Sequence, residues 1–247
     1  MKTNNETGHE QNVINLEVMN SLISTFGDAY NPPKQTLTIP GLTELVQKGK
    51  LEINAVNTAE VAYKNAQSAR VVVFNDFDNL ITRIINALRV TGVADQTLAQ
   101  AEAIVRDLRG KRASGLLSDE ELAAEKAKGN EIKQVTVHNA SIDSKIENLA
   151  KFILFLESIT EYTPHEIDLT RVSLKAKLAD IKSKNAALIT ADAAWSAARL
   201  SRNELLYVDN TGLVDTALTV KLYVKSAFGA TSPQSKQVSG IMFTKPR

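Results

Sequence analysis

Apolar residues recur along this chain at helical spacing. In residues 10–26, Val13, Leu16, Met19, Leu22 and Ile23 share one side of a helix, and Gly27 follows as a C-cap. Tyr30-Asn31-Pro32-Pro33 is an extended connector, because a residue before proline is pushed away from the helical region. A long helix is predicted from about Leu42 to Val90, with Leu45, Leu51, Val56, Ala59, Ala62, Tyr63 and Ala66 keeping the rhythm. Asn75-Asp76-Phe77-Asp78-Asn79 is weak in helix formers and marks a bend within it. Residues 92–96 form a turn, and Thr97 to Leu108 is helical. Ser118-Asp119-Glu120-Glu121 has capping-box spacing and starts a helix to about Lys128. Residues 131–140 read two ways, since Gln134-Val135-Thr136-Val137 alternates like a strand but has no partner strand. Ser141 starts a helix to about Ser158, and Leu169 to Tyr207 is a second long helix. Asp209-Asn210-Thr211-Gly212 breaks it, Leu213 to Phe228 resumes, and Thr231-Ser232-Pro233 opens a last short helix. Residues 1–9 are expected to be disordered.

The order of elements runs twice. A shift of 132 residues aligns 30–70 on 162–202 without a gap. Identical pairs include Tyr30/Tyr162, Pro32/Pro164, Leu37/Leu169, Thr38/Thr170, Leu42/Leu174, Lys50/Lys182, Thr58/Thr190 and Arg70/Arg202. Ala59, Ala62 and Ala66 fall on one helix face beside Tyr63, and Ala191, Ala194 and Ala198 repeat the face beside Trp195. These eight residues are expected to pack together in the core, where alanine lets two helices approach closely. Beyond residue 90 the match weakens, and Gly92 aligns with Gly229 after five inserted residues. The expected fold is all-α: an elongated helical bundle from a tandem duplication, with a short helix, Tyr-x-Pro connector, long helix and short helix, twice. Residues 10–130 form the first repeat and 131–247 the second, within one continuous bundle.

Composition narrows the function. Lys and Arg total 29 and Asp and Glu 28, so the net charge is +1. Nucleic-acid binding draws its affinity from neutralised phosphates and is not expected at this balance. Near-neutrality also gives little charge repulsion against self-association. Cysteine is absent, which excludes disulfides, thiolate catalysis and Cys-based zinc sites. The N-terminus is polar, without the apolar run of a signal peptide. The most apolar run, Phe152-Ile153-Leu154-Phe155-Leu156, is far short of the ~20 residues that span a bilayer. A cytoplasmic protein is expected.

Candidate chemistry is sparse. His9, His138 and His165 have no metal-ligand spacing, no serine sits in a Gly-x-Ser-x-Gly elbow, and no cofactor or metal is expected. Gly110-Lys111-Arg112, beside Arg106 and Arg109, is a basic loop but not a P-loop; solvated charge explains it better than a phosphate site. Asp76, Asp78, Asp209 and Asp215 lie near the two bends, where capping explains them better than acid–base work. Tyr63 and Trp195 read as core more readily than as an aromatic anchor. Phe152, Ile153, Phe155 and Leu156 are apolar round too much of a helix for one neighbour to cover. They are expected to be wholly buried or to form a subunit interface.

Tyr30-Asn31-Pro32-Pro33, Gly110-Lys111-Arg112, Tyr207-Val208-Asp209-Asn210-Thr211-Gly212-Leu213 and Phe228-Gly229-Ala230-Thr231-Ser232-Pro233 resemble a family of helical hypothetical proteins from the Bacteroidota. The resemblance implies a bacterial, cytoplasmic origin and carries over no activity and no site. The duplicated helices and the missing chemical motifs point to a non-enzymatic structural or scaffolding protein that binds itself, as a filament or another homo-oligomer. Alternatives are a monomeric helical module for another protein, a membrane-active protein exposing residues 149–159, and an enzyme using the Asp residues at the bends.

Overall fold

The computed structural model describes residues 6–111, 119–128 and 141–245, and among these there are helices and turns but no strand. The helices are α1 Glu6–Ser24, α2 Ile39–Phe74, α3 Phe77–Val90, α4 Asp95–Leu108, α5 Asp119–Ala127, α6 Ile142–Ser158, α7 Arg171–Tyr207, α8 Leu213–Phe228 and α9 Pro233–Ser239. The fold is all-α, as expected. Residues 6–9 depart from expectation, because α1 begins at Glu6 rather than after residue 9. The Gln134–Val137 alternation, His138, Arg112 and the capping Ser118 lie outside the described residues.

Local signals fall where physics puts them. Ser141 and Ser232 cap α6 and α9, each accepting the backbone N–H three residues on at 3.1 Å. Gly27 has φ +59°, the left-handed geometry that ends a helix. The predicted bend at Asn75–Asn79 is a break, so the first long helix is two, α2 and α3. The break after α7 holds Asn210 at φ 66°, and its N–H donates to Asp215 Oδ2 at 2.9 Å.

Both connectors make the same hydrogen bonds. Tyr30 donates its hydroxyl to the Leu37 carbonyl at 2.7 Å, and Tyr162 to the Leu169 carbonyl at 2.9 Å. Each lies before a short 3-10 turn, Gln35–Leu37 or Ile167–Leu169. Thr38 and Thr170 then donate back to Gln35 and Ile167, both at 2.8 Å. The match at offset 132 thus corresponds to equal local geometry.

The chain forms two compact units, and they do not follow a cut at residue 130. Unit 1 joins Met1–Asn65 with Ile189–Arg247, and unit 2 is Ala66–Leu188. In unit 1, Val13, Leu16, Met19 and Ile23 of α1 pack with Leu42 and Val46 of α2, Leu206 of α7, and Leu213, Val220 and Val224 of α8. Tyr63 also meets Trp195 here, with ring centroids 5.1 Å apart. The start of α2 lies with the end of α7, and their middles touch, so the two run antiparallel. In unit 2, Leu149, Phe152, Ile153 and Leu156 of α6 pack with Ile81, Ile84 and Leu88 of α3, Val105 and Leu108 of α4, and Leu174 and Ile181 of α7. Each core therefore combines the first elements of one sequence half with the last elements of the other.

Candidate functional site

The apolar run on α6 is core. Phe152 and Leu156 are fully buried, Ile153 nearly so, and Phe155 is half-buried against them. Only Leu154 points to solvent, at 64% exposure. An interface at Phe152, Ile153, Phe155 and Leu156 is therefore corrected: the wide apolar arc is covered inside the chain, with α4 packed along α6.

The two alanine faces meet at Tyr63 and Trp195, but their placement in the core is corrected. Ala59, Ala66, Ala191 and Ala198 are half-buried, and Ala62 and Ala194 are exposed. None of these six alanines is buried, so they are not core. Tyr63 and Trp195 are half-buried and stack on one another, and the Arg199 guanidinium sits 5.2 Å from the Trp195 ring centroid.

What those middle segments present is a surface poor in charge. On α2 between residues 54 and 65, eight positions are exposed, and only Lys64 is charged. On α7 between 189 and 201, nine are exposed, and only Asp192 is charged. Two charges in these seventeen positions compare with the quarter to third usual on a soluble surface. Val61, Ile189 and Leu200 are 58%, 61% and 68% exposed, so the faces also carry large apolar side chains. Asn54, Thr58, Val61 and Asn65 on α2, and Thr190, Ala193, Ala197 and Leu200 on α7, alternate steps of three and four. That is the spacing of a helix-packing seam. Sequence reasoning missed these rows because it scored alanine as core. The signal was available, since neither row holds a charge.

Two clefts occupy corresponding corners. In unit 2 a cavity of about 600 Å³ lies between the Ile167–Leu169 turn, the start of α7 and α3, lined by Asp76, Leu80, Arg83, Asp168, Ser173 and Lys177 among others. In unit 1 a cavity of about 400 Å³ lies between the Gln35–Leu37 turn, the start of α2 and the α7–α8 break. In the larger cleft, Arg83 grips both oxygens of Asp168, Nη2 donating to Oδ1 at 3.0 Å. That hydrogen bond holds the Asp168 carboxyl below its usual range. The Ser173 and Thr170 hydroxyl oxygens lie 3.0 Å apart. Opposite charges at hand suit binding of a polar group, and no histidine lines either cleft.

The remaining candidates are dispersed. Asp76 lines the larger cleft, while Asp78 is an exposed first-turn residue of α3. Asp215 accepts from the Asn210 N–H and pairs with Lys245 at 2.8 Å, and Asp209 lies 3.5 Å from the same ammonium. These are fastenings at a helix break. His9 Nδ1 is 2.6 Å from the Tyr207 hydroxyl, and His165 is exposed. Gly110 and Lys111 follow α4, and nearby Arg109 donates to the Thr82 hydroxyl at 2.7 Å. Among the described residues no group of three or more His, Asp or Glu could hold a metal, and no helix is long and apolar enough to cross a membrane. No protein-family model, no curated protein and no solved structure matches the chain.

Proposed function

We propose that this chain is a non-enzymatic structural or scaffolding protein that associates with copies of itself through the exposed faces of α2 and α7. The observation that carries the reading is the pair of charge-poor seams, with Val61, Ile189 and Leu200 open to solvent. Removing such apolar side chains from water favours association by about 25 cal/mol for each Å² covered. Little net charge opposes it. The membrane-active alternative would require unit 2 to open, because most of the run it needs around residues 149–159 is buried there. A helical module for another protein would use the same faces and act as a monomer. Light scattering across a concentration series separates the two. The expected mass rises above the 26.9 kDa of one chain. A mass fixed at one chain throughout refutes self-association and turns attention to a foreign helix.

A further inference from the structure

The exposed charges beside the two seams have opposite sign. From residue 48 to 65 the exposed charged residues on α2 are Lys48, Lys50 and Lys64. From 189 to 204 those on α7 are Asp192 and Glu204. Lys50 and Lys64 already hold Glu17 and Glu60, at 2.6 and 2.5 Å. Both lysines are solvent-exposed and surface pairs of this kind are worth little in water, so these ammonium groups can turn to another partner.

Laid antiparallel, the two segments agree on one register. Setting Lys64 opposite Asp192 brings Lys50 to within two residues of Glu204. The same alignment sets Asn65 by Thr190, Val61 by Ala193 and Ala194, Thr58 by Ala197 and Asn54 by Leu200. The alignment that pairs the charges is thus, to within two residues, also one that brings the two seams into register. Resting on the self-association reading above, we propose that α2 of one copy docks antiparallel on α7 of a second copy, with Lys50 and Lys64 facing Glu204 and Asp192 of that copy.

This contact does not close. At 3.6 residues per turn, the α2 seam lies roughly opposite the Val56, Ala59 and Tyr63 side of its helix, and the α7 seam roughly opposite Ala191, Trp195 and Ala198. Tyr63 and Trp195 face one another within the chain, so the two seams point outward in different directions. A copy that offers α2 to one neighbour keeps α7 for the next. Because α2 and α7 are antiparallel inside the chain, an antiparallel contact between chains returns every copy to one orientation. The contact is heterologous and builds an open ribbon rather than a closed pair.

The test uses two full-length variants, K50E/K64E and D192K/E204K. Thermal melting checks that each is folded; the second leaves the Glu17 and Glu60 pairs untouched. Each alone places like charges across the contact and is expected to associate at least roughly tenfold more weakly than the parent. Mixed in equal amounts they restore opposite charges at every junction and should regain the parent's mass by light scattering. Parent mass should climb with concentration without levelling. Variants that associate like the parent overturn the register while self-association stands, as does a mixture that stays dissociated. A parent mass that levels at two chains overturns the open ribbon alone. A parent that remains a monomer overturns this proposal together with the reading it rests on.

Discussion

Replacing Tyr162 by phenylalanine removes one oxygen and tests how the connector is fastened. The ring is fully buried, and its hydroxyl donates to the Leu169 carbonyl at 2.9 Å. Phenylalanine keeps the packing and loses the bond, which costs about 1 kcal/mol net, rising to ~3 kcal/mol if the carbonyl is left dry. A second signature is specific to the hydroxyl. Burial pushes the Tyr162 phenol from 10.0 up to about 12, against the pull of the nearby Arg171 guanidinium. Between those values the unfolded chain has released a proton that the folded chain keeps, so the contribution is whole below pH 10.0 and is lost as pH rises toward about 12. At ~1.4 kcal/mol per pH unit its upper bound is on the order of 3 kcal/mol. Urea unfolding of parent and variant should show a gap at about pH 8 that narrows through the alkaline range. A variant as stable as its parent at neutral pH, or a gap that does not change with pH, refutes this account.

Two further perturbations probe each unit in turn. An added Cβ on Gly49 would lie 2.9 and 3.1 Å from the two Val13 methyls and 3.4 Å from Leu213 Cδ1, so Gly49→Ala should destabilise unit 1 by about 1–3 kcal/mol in denaturant unfolding; unchanged stability would mean α1 yields freely. Asp168 is held ionised by Arg83, so its contribution is present at neutral pH and lost as pH falls through its lowered folded pKa. Asp168→Asn should flatten the acid limb of an unfolding titration, and an acid limb identical to the parent's would show that the pair adds nothing.

Much of the secondary structure could be read from the chain because its signals are local. Ser141 needs only its own hydroxyl and the N–H of Ser144 to cap α6, and Asn75-Asp76 weakens a helix whatever surrounds it. The pairing of Tyr30 with Tyr162 in the alignment located two connectors with one geometry. Burial was harder to read, because it depends on what lies across the helix. Phe155 and Val61 are both apolar helix residues, yet one is half-buried under its own chain and the other is open to solvent. The joining of α1 to α8 and of α6 to α4 is a choice among distant partners, and no short-range pattern in the chain encodes it. Alanine was the most misleading residue, since Ala62 and Ala194 suit a close helix contact and a bare helix surface equally well.

The way the units divide the chain also sets an order in time. Unit 2 is one unbroken stretch, Ala66–Leu188, so its core can close while the ribosome is still adding later residues. Unit 1 cannot. Val13 and Leu16 wait on Val220 and Val224, some two hundred positions downstream, and until those emerge α1 has only the start of α2 to cover its apolar face. The first helix made is thus among the last to be fully housed, and the nascent chain carries its α8-facing side exposed through most of synthesis. Closing so large a loop is slow, which makes the docking of α1 on α8 the expected late step of folding.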